Sequence, residues 1–235
     1  MAHHILFVYA HPDDETFSCG GTIARYAERP DVRISLYCAT RGEAGSPGTP
    51  PLCRQDELGA FRARELESAA GILGIDHVLI RDYGDKKLKR MPEGSLSDDI
   101  EGVIHASKPD AVITFPPHGI SGHPDHQAVQ KATFQAIHRV DPDAKIRFYY
   151  TVIPESTASS ASPVHRTPDH EVTTRIDVTP YRQTMMEALQ QHRTQHVSIK
   201  RVFPGVLAGK WERLRTTEYF QAVRPADSIP LTELL

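Results

Sequence analysis

The run Ile5-Leu6-Phe7-Val8-Tyr9-Ala10 is unbroken apolar chain that stops abruptly at His11-Pro12-Asp13-Asp14-Glu15. A segment this short and wholly apolar reads as a strand covered on both faces, which points to a parallel sheet flanked by helices. Gly20-Gly21-Thr22 leads into a helix over Ile23 to Ala27, ended by Pro30, and Val32 to Ala39 reads as a second strand. Strand, helix and strand in close succession make a right-handed parallel βαβ unit.

The alternation continues along the chain. From Asp56 the apolar spacing is helical, with Leu58, Phe61, Leu66, Ala69, Ala70 and Leu73 on one side and Gly74 as the stop. Strands are expected at Val78 to Ile80, Ala111 to Phe115 and Ile146 to Ile153, and helices over 96–107, Pro124 to Val140, Tyr181 to His192 and Trp211 to Phe220. The pattern predicts an α/β fold: a Rossmann-like open, mostly parallel sheet with helices on both faces, in a single domain spanning 1–235. Two loops stand out by length. The Pro- and Gly-rich stretch 41–54 and the Ser-, Thr-, Ala- and Pro-rich stretch 155–168, expected to be a mobile surface excursion, are candidate lids or specificity loops.

Composition removes several functions. With 27 Lys and Arg against 30 Asp and Glu, the net charge of -3 argues against a nucleic-acid binder. No stretch approaches the ~18 apolar residues of a membrane helix, and no charged leader precedes the first strand, so a cytoplasmic protein is expected. Cys19, Cys38 and Cys53 show no C-x-x-C spacing and read as small hydrophobes, not a disulfide framework or a cysteine zinc site. Thirteen histidines are the unusual count. Those at 77, 105, 138, 165 and 170 read as ordinary structural residues.

In open parallel sheets ligands bind outside the carboxyl ends of strands. Two strand exits are rich in ligand chemistry: Ala10-His11-Pro12-Asp13-Asp14-Glu15 after the first strand, and Gly122-His123-Pro124-Asp125-His126 beyond the fourth. A histidine and a carboxylate three residues apart on a Pro-stiffened turn can aim at one point. One further imidazole from the neighbouring strand completes three ligands with an open fourth position, the requirement of a catalytic zinc. Of the two histidines in the second motif, one can ligate while the other faces substrate. No G-x-G-x-x-G, G-x-x-x-x-G-K-[ST] or G-x-S-x-G is present, so dinucleotide, phosphate-loop and serine-hydrolase chemistry lack their parts.

At these two motifs the sequence resembles the PIG-L/LmbE-like family of zinc-dependent N-acetylglucosaminyl deacetylases. The resemblance extends through Arg62-x-x-Glu65, Arg81-Asp82 and Ala188-Leu189 to His192-x-x-Gln195. It implies zinc held by His11, Asp14 and His126, with other divalent metals such as Fe2+ acceptable to the same donors, and Asp13 as general base. It further implies His123 as oxyanion donor or acid, oriented and protonated by Asp125, and Arg62 and Asp82 as substrate contacts. Ser121 stands where some relatives carry a tyrosine that assists the carbonyl oxygen.

The implied partner is a small N-acetylated amino sugar or glycoconjugate, and the implied assembly a homo-oligomer, trimer or hexamer. An amidase acting on a non-sugar amide or thiol conjugate, and a metal-bearing protein that binds a glycan without turning it over, are the alternatives.

Overall fold

The structure, a computed structural model, describes residues 2–157, 164–223 and 232–235. In chain order the elements are β1 (His3–Tyr9), α1 (Asp14–Ala27), β2 (Val32–Cys38), α2 (Leu58–Leu73), β3 (His77–Ile80), α3 (Ser95–Ser107), β4 (Ala111–Thr114), a short α4 (Gly119–Gly122), α5 (Pro124–Val140), β5 (Arg147–Val152), β6 (Thr174–Asp177), α6 (Arg182–Gln191), α7 (His196–Val202) and β7 (Thr217–Ala222). The described strands make one seven-stranded sheet in the order β3-β2-β1-β4-β5-β7-β6. The first five positions pair parallel, and β7 runs antiparallel between β5 and β6.

The apolar run of β1 occupies the centre of this sheet, and residues 5 to 10 are at most 1% exposed. Helices α1, α2 and α6 pack together, and α3 packs on α5. Right-handed crossovers put the two groups on opposite faces, because the chain moves from β1 out to β3 and then returns to β4 on the far side of β1. Strand order therefore reverses between β1 and β4, and the crevice at their carboxyl ends is the natural ligand position of such a sheet.

Several segments depart from the sequence expectation. Helix α1 starts at Asp14, inside the acidic turn, well before Gly20. Carboxylates in a first helical turn suit the positive end of the helix dipole. The helix is kinked at Cys19 (φ -150°, ψ 31°). Past the kink, the Gly21 and Thr22 amides donate to the buried carboxylate of Glu218 at 3.2 and 2.7 Å. Glu218 lies on β7, within the segment Trp211 to Phe220 for which the sequence predicts a helix. Only Trp211–Arg213 forms a helical turn; Thr217–Ala222 is a strand with Glu218 and Phe220 buried alternately, the period of a half-covered sheet.

Strand β6, helix α7 and the short α4 are additional to the expected elements. The excursion at 155–168 is anchored at both ends: the Glu155 amide donates to the Thr167 carbonyl at 3.1 Å, the Thr167 amide to the Ile153 carbonyl at 2.9 Å, and the His165 amide to the Ile120 carbonyl at 2.7 Å. Residues 158–163 of it lie outside the described residues. Among the described residues no helix is long and apolar enough to cross a membrane.

Candidate active site

The turn after β1 presents His11, Asp13 and Asp14, and the N-terminus of α5 presents His123, Asp125 and His126. Both sit at the strand reversal. Pro124 is the first residue of α5, and the His123 imidazole caps it by accepting the Asp125 amide at 3.2 Å. One helical turn set this way brings His126 across to β1.

Three ligating groups form a triangle in which Asp14 turns a different carboxylate oxygen to each imidazole. His11 Nδ1 lies 3.4 Å from Asp14 Oδ2, His126 Nε2 lies 3.3 Å from Asp14 Oδ1, and the two nitrogens are 3.3 Å apart. Donors held about 2.0–2.1 Å from one tetrahedral ion stand about 3.3 Å from each other, and each of these three separations is of that size, whichever Asp14 oxygen faces the ion. The outward-facing ring nitrogens are also engaged: His126 Nδ1 with the Gly119 carbonyl at 3.0 Å, and His11 Nε2 with Asp125 Oδ2 at 3.3 Å and Asp85 Oδ1 at 3.1 Å. Such outer partners fix tautomer and ring orientation in metal-binding histidines. Phe115 stacks flat on His126, ring centres 4.1 Å apart.

The charge balance of the cluster suits a cation. Asp14, Asp85 and Asp125 surround the His11 imidazole and Asp14 also faces His126, while the neighbouring cation, Arg62, is paired with Asp13. Burial alone would raise the Asp14 pKa, but the imidazoles of His126 and His11 outweigh it and hold the carboxyl well below the usual range. Asp85, opposed by burial in the same way, is held at about 2 by His11.

Asp13 is different. It sits at φ 114°, a left-handed conformation that non-glycine residues rarely adopt, and its carboxylate is turned to Arg62 Nη2 at 3.1 Å. Burial pushes its pKa well above the ordinary carboxylate value, with Arg62 pulling the other way and Asp14 adding to the rise. A carboxylate beside the donor triangle with raised proton affinity is the arrangement expected of a general base.

The structure relocates several residues. Arg62 is 4% exposed, and it donates to the carbonyls of Pro12 and Gly42 as well as to Asp13. Its partners are protein atoms of the two flanking loops. Asp82 points outward, its side chain 76% exposed and 3.5 Å from Arg41 Nε. The carboxylate that the exit of β3 contributes to the cluster is Asp85, three residues beyond Asp82 and outside the sequence motifs. Ser121 is exposed on the rim, in α4.

Asp125 does not pair with His123 through its carboxylate. Those oxygens accept the Lys86 and Leu88 amides at 2.6 and 3.2 Å and face His11. The expected protonation of His123 by Asp125 is therefore corrected: burial and the neighbouring His11 and His126 lower the His123 pKa. With its Nδ1 accepting an amide proton, the neutral ring carries its own proton on Nε2.

An open parallel sheet with two imidazoles and a carboxylate converging at its strand reversal, beside a second carboxylate free of the triangle, has the layout of a metal-dependent hydrolase. Comparison with known proteins narrows the class. Residues 6–137 match the family described as PIG-L: GlcNAc-PI de-N-acetylase, so the chain belongs to that family.

It is 33% identical over 193 residues to a probable N-acetyl-alpha-D-glucosaminyl L-malate deacetylase 2 of Bacillus anthracis, covering 82% of this chain and 81% of the relative. It is 31% identical over 262 residues to a 1D-myo-inositol 2-acetamido-2-deoxy-alpha-D-glucopyranoside deacetylase of Saccharomonospora viridis, covering 94% and 95%. In fold it is similar to the N,N'-diacetylchitobiose deacetylase of Pyrococcus horikoshii, with a TM-score of 0.69, 20% identity, and 94% and 84% of the two chains covered.

Proposed function

We propose that this protein hydrolyses the acetamido group of an amino sugar or glucosaminyl conjugate, releasing acetate and a free amine, with zinc held by His11, Asp14 and His126. The observation that carries the reading is the 3.3–3.4 Å donor triangle with Asp13 beside it. The family relatives' activities support the substrate class. Zinc bound there supplies Lewis acidity, lowering the pKa of water from about 15.7 to about 7 and polarising the amide carbonyl.

The chain's own groups do the rest. Asp13 takes a proton from the attacking water as its oxygen bonds to the carbonyl carbon, and delivers that proton to the nitrogen as the C–N bond breaks. Positioned proton transfer of this kind is worth roughly 100- to 10,000-fold. His123 donates its Nε2 proton in a hydrogen bond to the carbonyl oxygen as charge builds there; loss of one such donor costs about 3 kcal/mol. Arg62 braces Asp13 against the protein. With Asp82 directed outward, the walls offered to the sugar come from the 41–54 loop, Ser121 and the rim near His165. A cytoplasmic homo-oligomer goes with this reading on the strength of the family resemblance, and light scattering checks the assembly.

The test is primary-amine release over N-acetylglucosamine, its malate and inositol conjugates and a set of non-sugar amides, with and without chelator. Chelator-sensitive turnover of the sugar substrates is expected. Turnover confined to other amides, or saturable binding with no amine released, contradicts the proposal.

A further inference from the structure

The motif His192-Arg193-Thr194-Gln195 lies far along the chain from both strand exits and plays no part in the chemistry above. Two of its side chains nevertheless reach toward Asp13 indirectly, through the carboxylates of Glu15 and Glu65. His192 ends α6 and is fully buried. Its Nε2 faces Glu15 Oε1 at 3.1 Å, and because a carboxylate only accepts, the imidazole is the donor. The other Glu15 oxygen accepts the backbone amide of Asp13 at 3.1 Å. The same carboxylate therefore ties the strained peptide of Asp13 to α6.

Two residues on, Thr194 donates its amide and its hydroxyl to the two oxygens of Glu65, at 2.8 and 2.7 Å. Glu65 sits one turn along α2 from Arg62, the residue that grips the Asp13 carboxylate and the Pro12 carbonyl. One arm of the motif thus holds the backbone of Asp13 and the other sets the helix that holds its side chain. The bonds run to carboxylates of α1 and α2, not to the donor triangle. The arrangement has a cost: His192 Nδ1 is buried without a hydrogen-bond partner. An apolar side chain would fill the space without that penalty, so the imidazole is explained by its bond to Glu15.

We infer that His192 and Thr194 are positioning residues for the reaction, holding Asp13 in register with the donor triangle through Glu15 and through Glu65 and Arg62. The inference rests on the function proposed above. The experiment compares zinc-loaded wild type with His192→Leu, His192→Gln and Thr194→Val, measuring zinc per chain, kcat and KM for amine release, and hydrogen exchange of the 12–16 segment.

Losing a buried bond to a charged group corresponds to about a 10- to 150-fold effect. His192→Leu should keep wild-type zinc, shift KM less than about twofold, lower kcat by about tenfold or more, and speed exchange at Asp13; His192→Gln, which retains a donor, should recover most of the loss. Thr194→Val should act in the same direction and serves if His192→Leu does not fold. A folded variant with kcat and exchange within twofold of wild type overturns the inference, as does zinc lost in step with activity. If wild type releases no amine from any sugar substrate, the proposed function falls, while unchanged exchange at Asp13 in the variants would by itself overturn the positioning role.

Discussion

Alanine at position 42 should disarm Asp13 without touching it. Gly42 sits at φ +62°, and a Cβ there would lie 2.1 Å from Arg62 Nη1 and 2.5 Å from its Cζ. The left-handed backbone alone costs an L-residue about 1–2 kcal/mol. A surface arginine would swing aside for little more, but Arg62 is buried and tied to Gly42, Pro12 and Asp13. Moving it forfeits charge-assisted bonds worth about 1.5–3 kcal/mol each, partly regained by water. A net loss of roughly 3–5 kcal/mol is expected, which at about 2–4 °C per kcal/mol for a chain of this size lowers Tm by about 10 °C.

The same displacement changes the pH profile. Arg62 holds the Asp13 pKa down against burial, so removing the guanidinium raises it further. The base is active when ionised, and the acid limb of kcat/KM should therefore move to higher pH. Thermal denaturation and a pH–rate series on Gly42→Ala test both effects. Wild-type Tm together with an unmoved acid limb would refute the role given to Arg62.

Other outcomes follow from the same contacts. Gly71→Ala and Gly102→Ala, both exposed within helices with nothing near the added methyl, should each stabilise the fold by about 0.5–1 kcal/mol in urea denaturation. Glu218→Ala strips acceptors from the Gly21 and Thr22 amides and from Arg215, whose guanidinium donates at 2.6 Å; a loss of about 3–5 kcal/mol is expected in the same assay. Asp125→Ala removes one of the two carboxylates on His11 Nε2 and the acceptor of the Lys86 and Leu88 amides, and should weaken zinc about 10- to 100-fold in chelator competition.

Much of the fold was legible because its signals are local. The apolar β1 run, the Gly74 stop and the Pro-stiffened His/Asp turns each declare themselves within a few residues, and the two turns also contain the whole donor triangle. What the sequence concealed is long-range. Asp85 reaches His11 only because the β3 exit folds back over the 42–44 loop, where its carboxylate accepts the Ala44 amide at 3.1 Å.

Nothing near Asp125 in the chain tells that Lys86 and Leu88 will occupy its oxygens, so a carboxylate two residues from His123 reads as that ring's partner. Strand β7 was hidden for a similar reason. The segment 211–220 begins with a real helical turn, and its Thr-Glu-Tyr-Phe alternation gains meaning only beside β5 and β6. Glu218, a charge in a buried register, makes sense once the kink at Cys19 supplies amides for it.

Metal content decides the central claim most directly. Protein purified without added metal should carry close to one divalent ion per chain by elemental analysis, and His126→Ala, folded by circular dichroism, should lose it along with amine release, while Asp13→Asn should keep the ion and lose turnover. Full metal occupancy in His126→Ala, or undiminished turnover in Asp13→Asn, would contradict the account.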